Sequence, residues 1–214
     1  MHIYRNFLSD RTYLKSIGVG LLFLSISLIL NFYTGTYAAG KASNYVTDII
    51  LDNIPAVDVD GLFVWGPFVL WAFVIYLCAR EPQKIPFLLK NIALFTFIRS
   101  IFISITHIGP SPDQIPITTG LLMINSFTFG ADLFFSGHTG LPFLLGLMFY
   151  KNKKLRILFM SSALFFGVVV LLAHLHYSID VLSAFFITYT IYNIGLRFFK
   201  KDAELFDQDS SAFK

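Results

Sequence analysis

Two histidine-centred segments carry the chemistry that this sequence offers. His138 stands in Phe134-Phe135-Ser136-Gly137-His138-Thr139-Gly140, beside glycines at the start of an apolar run. The first backbone N–H groups of a helix lack partners within it, and its dipole is positive at that end, so the position favours an anion such as phosphate. The second segment is His174-Leu175-His176-Tyr177-Ser178-Ile179-Asp180, again at the start of an apolar run. His176 and Asp180 are four positions apart, which on a helix puts them on one face within hydrogen-bond reach. A carboxylate so placed fixes the imidazole tautomer and stabilises the ring as it becomes positive.

The elements that must position these groups are membrane helices. With 56% hydrophobic and 14% charged residues over 214 positions, and a mean hydropathy of +0.69, the chain is too apolar for a soluble domain of this length. Apolar runs fall at Tyr13 to Phe32, Leu62 to Ala79, Ile85 to Ile108, His138 to Tyr150, Leu155 to Ala173 and Tyr177 to Phe199. They predict an all-α polytopic membrane protein of six transmembrane helices, with the fourth drawing extra length from Leu133, Phe134 and Phe135. Residues 1–200 form one transmembrane catalytic domain in this reading, and residues 201–214 a short polar cytoplasmic tail, disordered from Asp202 onward. The first run is longer than a signal-peptide core and is read as an uncleaved span, with Ala38-Ala39-Gly40 marking the alternative of cleavage. The lone cysteine, Cys78, forms no intrachain disulfide and is read as a packing residue.

Basic residues set the topology. Arg5, Arg11 and Lys15, then Arg80, Lys84 and Lys90, then Lys151, Lys153, Lys154 and Arg156, then Arg197, Lys200, Lys201 and Lys214 fall on one side. Lys41 alone falls on the other, and Arg99 lies within the third span. Positive residues are retained in the cytoplasm, so both termini are expected there. The connections Tyr33 to Gly61 and Gly109 to Gly137 are then non-cytoplasmic. Within the second, Leu121, Leu122, Met123, Ile124, Phe127 and Phe129 suit either an interfacial lid or a packed loop.

This topology puts His138, His176 and Asp180 at the same, non-cytoplasmic surface. An Asp inside a span is costly unless paired or functional. Arg99 also needs a role, either reaching toward the interface to meet a phosphate or pairing with Asp132 or backbone carbonyls.

The segments resemble the sphingomyelin synthase family, a branch of the phosphatidic acid phosphatase type 2 superfamily. Asp132-Leu133-Phe134-Phe135-Ser136-Gly137-His138-Thr139 is similar to its third motif, and His176-Tyr177-Ser178-Ile179-Asp180-Val181 with Ala184 and Phe185 to its fourth. Arg99 with Thr106, near Gly109 and Pro110, resembles the second motif, while Pro55 and Asp58 are a faint echo of the first. The resemblance spans residues 50–200. It implies a six-helix bundle in which His176 attacks phosphorus, Asp180 orients it and His138 protonates the leaving alcohol. Arg99, Ser136, Gly137, Thr139, Asp132 and Tyr177 are the matching candidates for substrate binding. The superfamily's phosphomonoester phosphatases carry a Lys-x6-Arg-Pro motif and a Ser-Arg pair, neither of which is present; Val169 and Val170 stand where the pair would be.

The expected activity is transfer of a phosphocholine or phosphoethanolamine headgroup from a glycerophospholipid to ceramide or diacylglycerol. Hydrolysis on the same site, as a phospholipase C-like enzyme or lipid phosphatase, is the near alternative, and a non-catalytic scaffold or transporter the distant one. Membrane lipids are the expected partners. The charge is no nucleic-acid patch, and homo-oligomer formation stays open. No metal or organic cofactor is called for, although His138, His174, His176 and Asp180 are residue types that also bind zinc. His174 is read equally as a structural histidine or as support for the site, while His2 and His107 are incidental.

Overall fold

The computed structural model describes Phe7, residues 9–118 and residues 133–208. Its elements are α1 (Arg11–Lys41), α2 (Asp60–Arg80), α3 (Ile85–Ile105), α4 (Gly137–Met148), α5 (Lys153–Leu172), α6 (Ser178–Phe198) and α7 (Lys200–Phe206), with 3-10 turns at Leu51–Asn53 and Pro82–Lys84. No strand occurs among the described residues. Asp132 and the apolar stretch proposed as a lid lie outside them.

α1, α2, α3 with its preceding turn, α5 and α6 are each long and apolar enough to cross a membrane. Their lipid-facing surfaces confirm the solvent. Leu21, Leu22, Ile26, Leu28 and Ile29 stand exposed along α1, and only lipid solvates such a surface while the helix satisfies its own backbone. The protein is an integral membrane protein.

The fourth helix departs from expectation. It does not take up Leu133, Phe134 and Phe135, because Ser136 caps it: the Ser136 hydroxyl accepts the N–H of Thr139 at 3.4 Å. Its 12 residues span about 18 Å, short of a hydrocarbon core of about 30 Å. α4 is an inner helix, packed against α5 and α6 and touching α3, and it leads from the His138 end to the basic end, where Phe149 meets Phe206 at 5.1 Å. It is apolar on nearly every side, as a buried helix must be. Gly140 permits this: a Cβ there would meet the Phe95 ring at 2.7 Å and the Thr188 hydroxyl at 2.9 Å.

α1 also runs past its expected end at Phe32 to Lys41, its 31 residues reaching roughly 46 Å. The loop expected from Tyr33 therefore begins at Ala42. It turns there because the N–H and hydroxyl of Ser43 both donate to the carbonyl of His107, at 2.8 and 2.6 Å. Gly109 continues the strap by donating to Asn44 at 3.1 Å. A Cβ at Gly109 would collide with the Ser43 carbonyl, so the close approach requires glycine.

The core joins Phe87, Phe95, Phe135, Leu144, Leu145, Phe159 and Ile191, all almost wholly buried. Phe95 and Phe135 meet edge-to-face at 5.3 Å, which ties α3 to the segment leading into His138.

The expected disordered tail is corrected in part. Residues 200–206 form α7, docked at the basic end of the bundle. Lys90 bonds Asp202 at 2.6 Å and Ser16 at 2.7 Å, joining α1, α3 and α7. Lys84 donates to the Phe206 carbonyl at 3.0 Å and lies 4.4 Å from the Phe206 ring centre. Phe206 itself is buried. The carboxylate of Asp202 answers the buried ammonium of Lys90, a pairing across 112 positions that no local pattern encodes.

Candidate active site

α6 begins by tying down its own first turn. Asp180 accepts the N–H of Tyr177 at 2.9 Å through Oδ2, and the same oxygen lies 3.4 Å from Nδ1 of His176. The expected i,i+4 pair is thus present, although His176 precedes the helix and reaches Asp180 from its N-terminal approach. Asp180 is fully buried and His176 nearly so. The carboxylate therefore acts on the imidazole with little solvent screening, and a neutral ring that donates through Nδ1 presents Nε2 with its lone pair.

A second carboxylate, missed in the sequence, completes this turn. Asp48 accepts the N–H of Ser178 at 2.6 Å, and those of Ile50 at 2.8 Å and Leu51 at 3.2 Å. Burial acts to raise its pKa, but these donors outweigh burial and hold the carboxyl below its ordinary value. The spacing of Asp48 and Asp52 signals only a local turn. Nothing local reveals a partner 130 positions away.

The His138 segment is anchored to the His176 segment by backbone. Ser136 donates its N–H to the carbonyl of Asp180 at 3.1 Å. The Thr139 hydroxyl lies 3.3 Å from that of Ser136, and both side chains are fully buried. Ser136 and Thr139 thus hold the turn together and do not line the cavity. His138 stacks on Phe63 of α2 with ring centres 4.0 Å apart and meets Phe166 of α5 edge-on at 6.3 Å.

Arg99 comes up from α3. Its Nε donates to the carbonyl of Phe135 at 2.9 Å, and its Nη1 to Oδ1 of Asn31 on α1 at 3.4 Å. The pairing with a backbone carbonyl that the sequence allowed is therefore present, together with a place at the cavity. A Cβ at Gly137 would lie 3.6 Å from the Arg99 Nε, in ordinary contact, so the guanidinium sits beside the start of α4.

These parts converge on one cavity of about 270 Å³. Arg99, Gly137, His138 and His176 line it, with Asn31 and Gln114, whose places no local motif signals. Its remaining walls include Pro67, Leu70, Trp71, Leu141 and Phe166. Asp180 lies behind His176. Tyr177 lines no part of this cavity; its hydroxyl donates to the carbonyl of Gly109 at 2.9 Å and so fixes the neighbouring loop. Among the described residues, no group of three or more His, Cys, Asp or Glu side chains is gathered to hold a metal ion. The four zinc-compatible residues do not form such a group.

The cavity offers a hydrogen-bonded imidazole, a second imidazole, a guanidinium and a helix start, against an apolar wall. No curated protein and no solved structure matches the chain. Residues 130–196, which hold both histidine motifs, match the family model described as PAP2 superfamily C-terminal, and this supports the PAP2 superfamily and its lipid phosphatase or phosphotransferase type of chemistry.

Proposed function

We propose that this protein transfers a phosphodiester headgroup, phosphocholine or phosphoethanolamine, from a glycerophospholipid to a lipid alcohol such as ceramide or diacylglycerol. The observation that carries this reading is the single cavity in which His138, His176 and Arg99 meet walls of Pro67, Leu70, Trp71 and Leu141. A polar end suits a phosphate and an apolar side suits the chains attached to it.

In the first step Nε2 of His176 attacks phosphorus, the bond to the diacylglycerol oxygen breaks, and protonated His138 gives that oxygen its proton. Asp180 stabilises the charge that develops on His176. In the second step the acceptor hydroxyl gives its proton to the now neutral His138, its oxygen attacks phosphorus, and the P–N bond breaks. Both histidines return to their starting states. No metal is required by this sequence of steps.

A diester is preferred to a monoester on charge. Arg99 is the only Lys or Arg among the described cavity-lining residues, which suits a monoanion better than a dianion. Val169 and Val170 are buried in apolar packing and supply no cation. The distribution of basic residues supports a site on the non-cytoplasmic face.

The test is lipid mass spectrometry on purified protein in mixed micelles of phosphatidylcholine, phosphatidylethanolamine, phosphatidic acid and ceramide, with His176→Ala as control. A headgroup-bearing sphingolipid appearing together with diacylglycerol, only with wild type, is the expected result. Diacylglycerol with free phosphorylated headgroup or phosphate would make water the acceptor and the protein a hydrolase. Full transfer by His176→Ala would sink the reading.

A further inference from the structure

Asn31 is out of place in its helix. Between Gly18 and Phe32 the polar side chains of α1 are Ser25, Ser27 and Asn31 alone. A serine in such a run can return its hydroxyl to its own helix, as Ser27 does by donating to the carbonyl of Leu24 at 2.8 Å. An amide brings an acceptor and two donors into an apolar span, where polar groups are costly and are kept when they are used.

Chemistry fixes which end of the amide points where. A guanidinium only donates, so the end of Asn31 that faces Nη1 of Arg99 at 3.4 Å is its oxygen. The amide nitrogen stands on the other branch of the same carbon, close to the guanidinium, with two N–H groups that no described residue accepts.

Asn31 lines the catalytic cavity together with Arg99, His138 and His176. The described lining includes no Asp or Glu, so the wall supplies no carboxylate for these N–H groups and their acceptor comes with the substrate. Beside a guanidinium that acceptor is the oxygen of an anion. A neutral amide adds donors there without adding charge. This suits a phosphodiester, whose two non-bridging oxygens share one negative charge, and offers nothing to balance the second charge of a monoester.

We infer that Asn31 is a substrate-contacting residue: its N–H groups donate to a non-bridging oxygen of the phosphodiester while its own oxygen holds Arg99. α1 and α3 then form one anion clamp, and α1 lies outside the residues that match the family model. This contact rests on the diester reading of the cavity and names a specificity-determining residue within it.

The experiment is calorimetric titration of dibutyryl phosphatidylcholine into the full chain in detergent micelles, in the His176→Ala background so that nothing turns over. Asn31→Ala weakens binding roughly fivefold. Asn31→Asp, which keeps an oxygen toward Arg99 but replaces the N–H groups by a second oxygen, weakens it further. Dibutyrylglycerol has the same chains and no phosphate; it binds equally with and without the Asn31 amide and so reports that the cavity is intact. Repeating the pair in Arg99→Met separates contact from positioning, and Asn31→Ala still weakens phosphatidylcholine binding there by about twofold or more. An Asn31→Ala effect that vanishes in Arg99→Met would reduce Asn31 to a support for Arg99, and equal weakening of dibutyrylglycerol would put the amide on the chains. Either result overturns the proposal, as does unchanged binding in Asn31→Ala. Each of these leaves the transfer reading standing, whereas binding of dibutyryl phosphatidic acid with none of phosphatidylcholine would overturn both.

Discussion

The backbone N–H of Ser136 donates to the carbonyl of Asp180 at 3.1 Å. That bond joins the two histidine motifs directly, and it does so through backbone, which holds their spacing whatever the side chains do. Asp180 consequently serves three groups: its carbonyl takes Ser136, and its Oδ2 faces both the N–H of Tyr177 and Nδ1 of His176.

These roles separate on substitution. Asp180→Asn keeps an oxygen for the Tyr177 N–H but loses the charge facing His176. Turnover should fall by roughly 10²- to 10⁴-fold, with the unfolding temperature little changed. Asp180→Ala should lose the cap as well, at about 1 kcal/mol or more. Turnover and thermal unfolding measured on both variants check this, and equal unfolding losses would contradict it.

Arg99 is held by Asn31 and by the carbonyl of Phe135. Arg99→Lys retains charge but not the planar fork that meets both. Its expected effect is a KM rise of roughly tenfold, corresponding to about 1.4 kcal/mol of lost substrate interaction. Asn31→Ala should give a smaller KM rise with kcat nearly constant. Steady-state kinetics on a short-chain phospholipid decide the matter; unchanged KM in Arg99→Lys would mark Arg99 as purely structural.

Asp48 makes stability sensitive to acid. Its folded pKa lies below the ordinary value of 3.8, so its contribution is fully present above that value. It is lost as pH falls through the lower folded pKa. Unfolding temperature in detergent should therefore drop between pH 5 and pH 2 by more in wild type than in Asp48→Asn. Asp48→Asn should already be less stable at pH 7, where the charged acceptor of the Ser178 N–H is missing.

Breaking the Lys90–Asp202 pair should weaken the opposite end of the bundle. The side chains are only 11% and 13% exposed, and an uncompensated charge left there costs up to roughly 3 kcal/mol. Asp202→Ala should lower the unfolding temperature while activity per folded molecule stays constant. A large loss of specific activity would show instead that α7 reaches the site.

The sequence by itself determined the solvent, the five long apolar helices and the two histidine motifs, since hydropathy and i,i+4 spacing are local properties. It also placed the pairing of His176 with Asp180. Only the tertiary structure decided what the motifs meet. Asp48 on Ser178, Asn31 on Arg99 and Phe63 on His138 are contacts across 130, 68 and 75 positions, and no local pattern encodes them. Packing likewise turned Ser136 and Thr139 into a buried cap and Asp202 into a lysine's partner. The physical reason is common to all of these. In a bundle buried in lipid an unpaired polar group is costly, and which partner it finds depends on how helices distant in sequence come together.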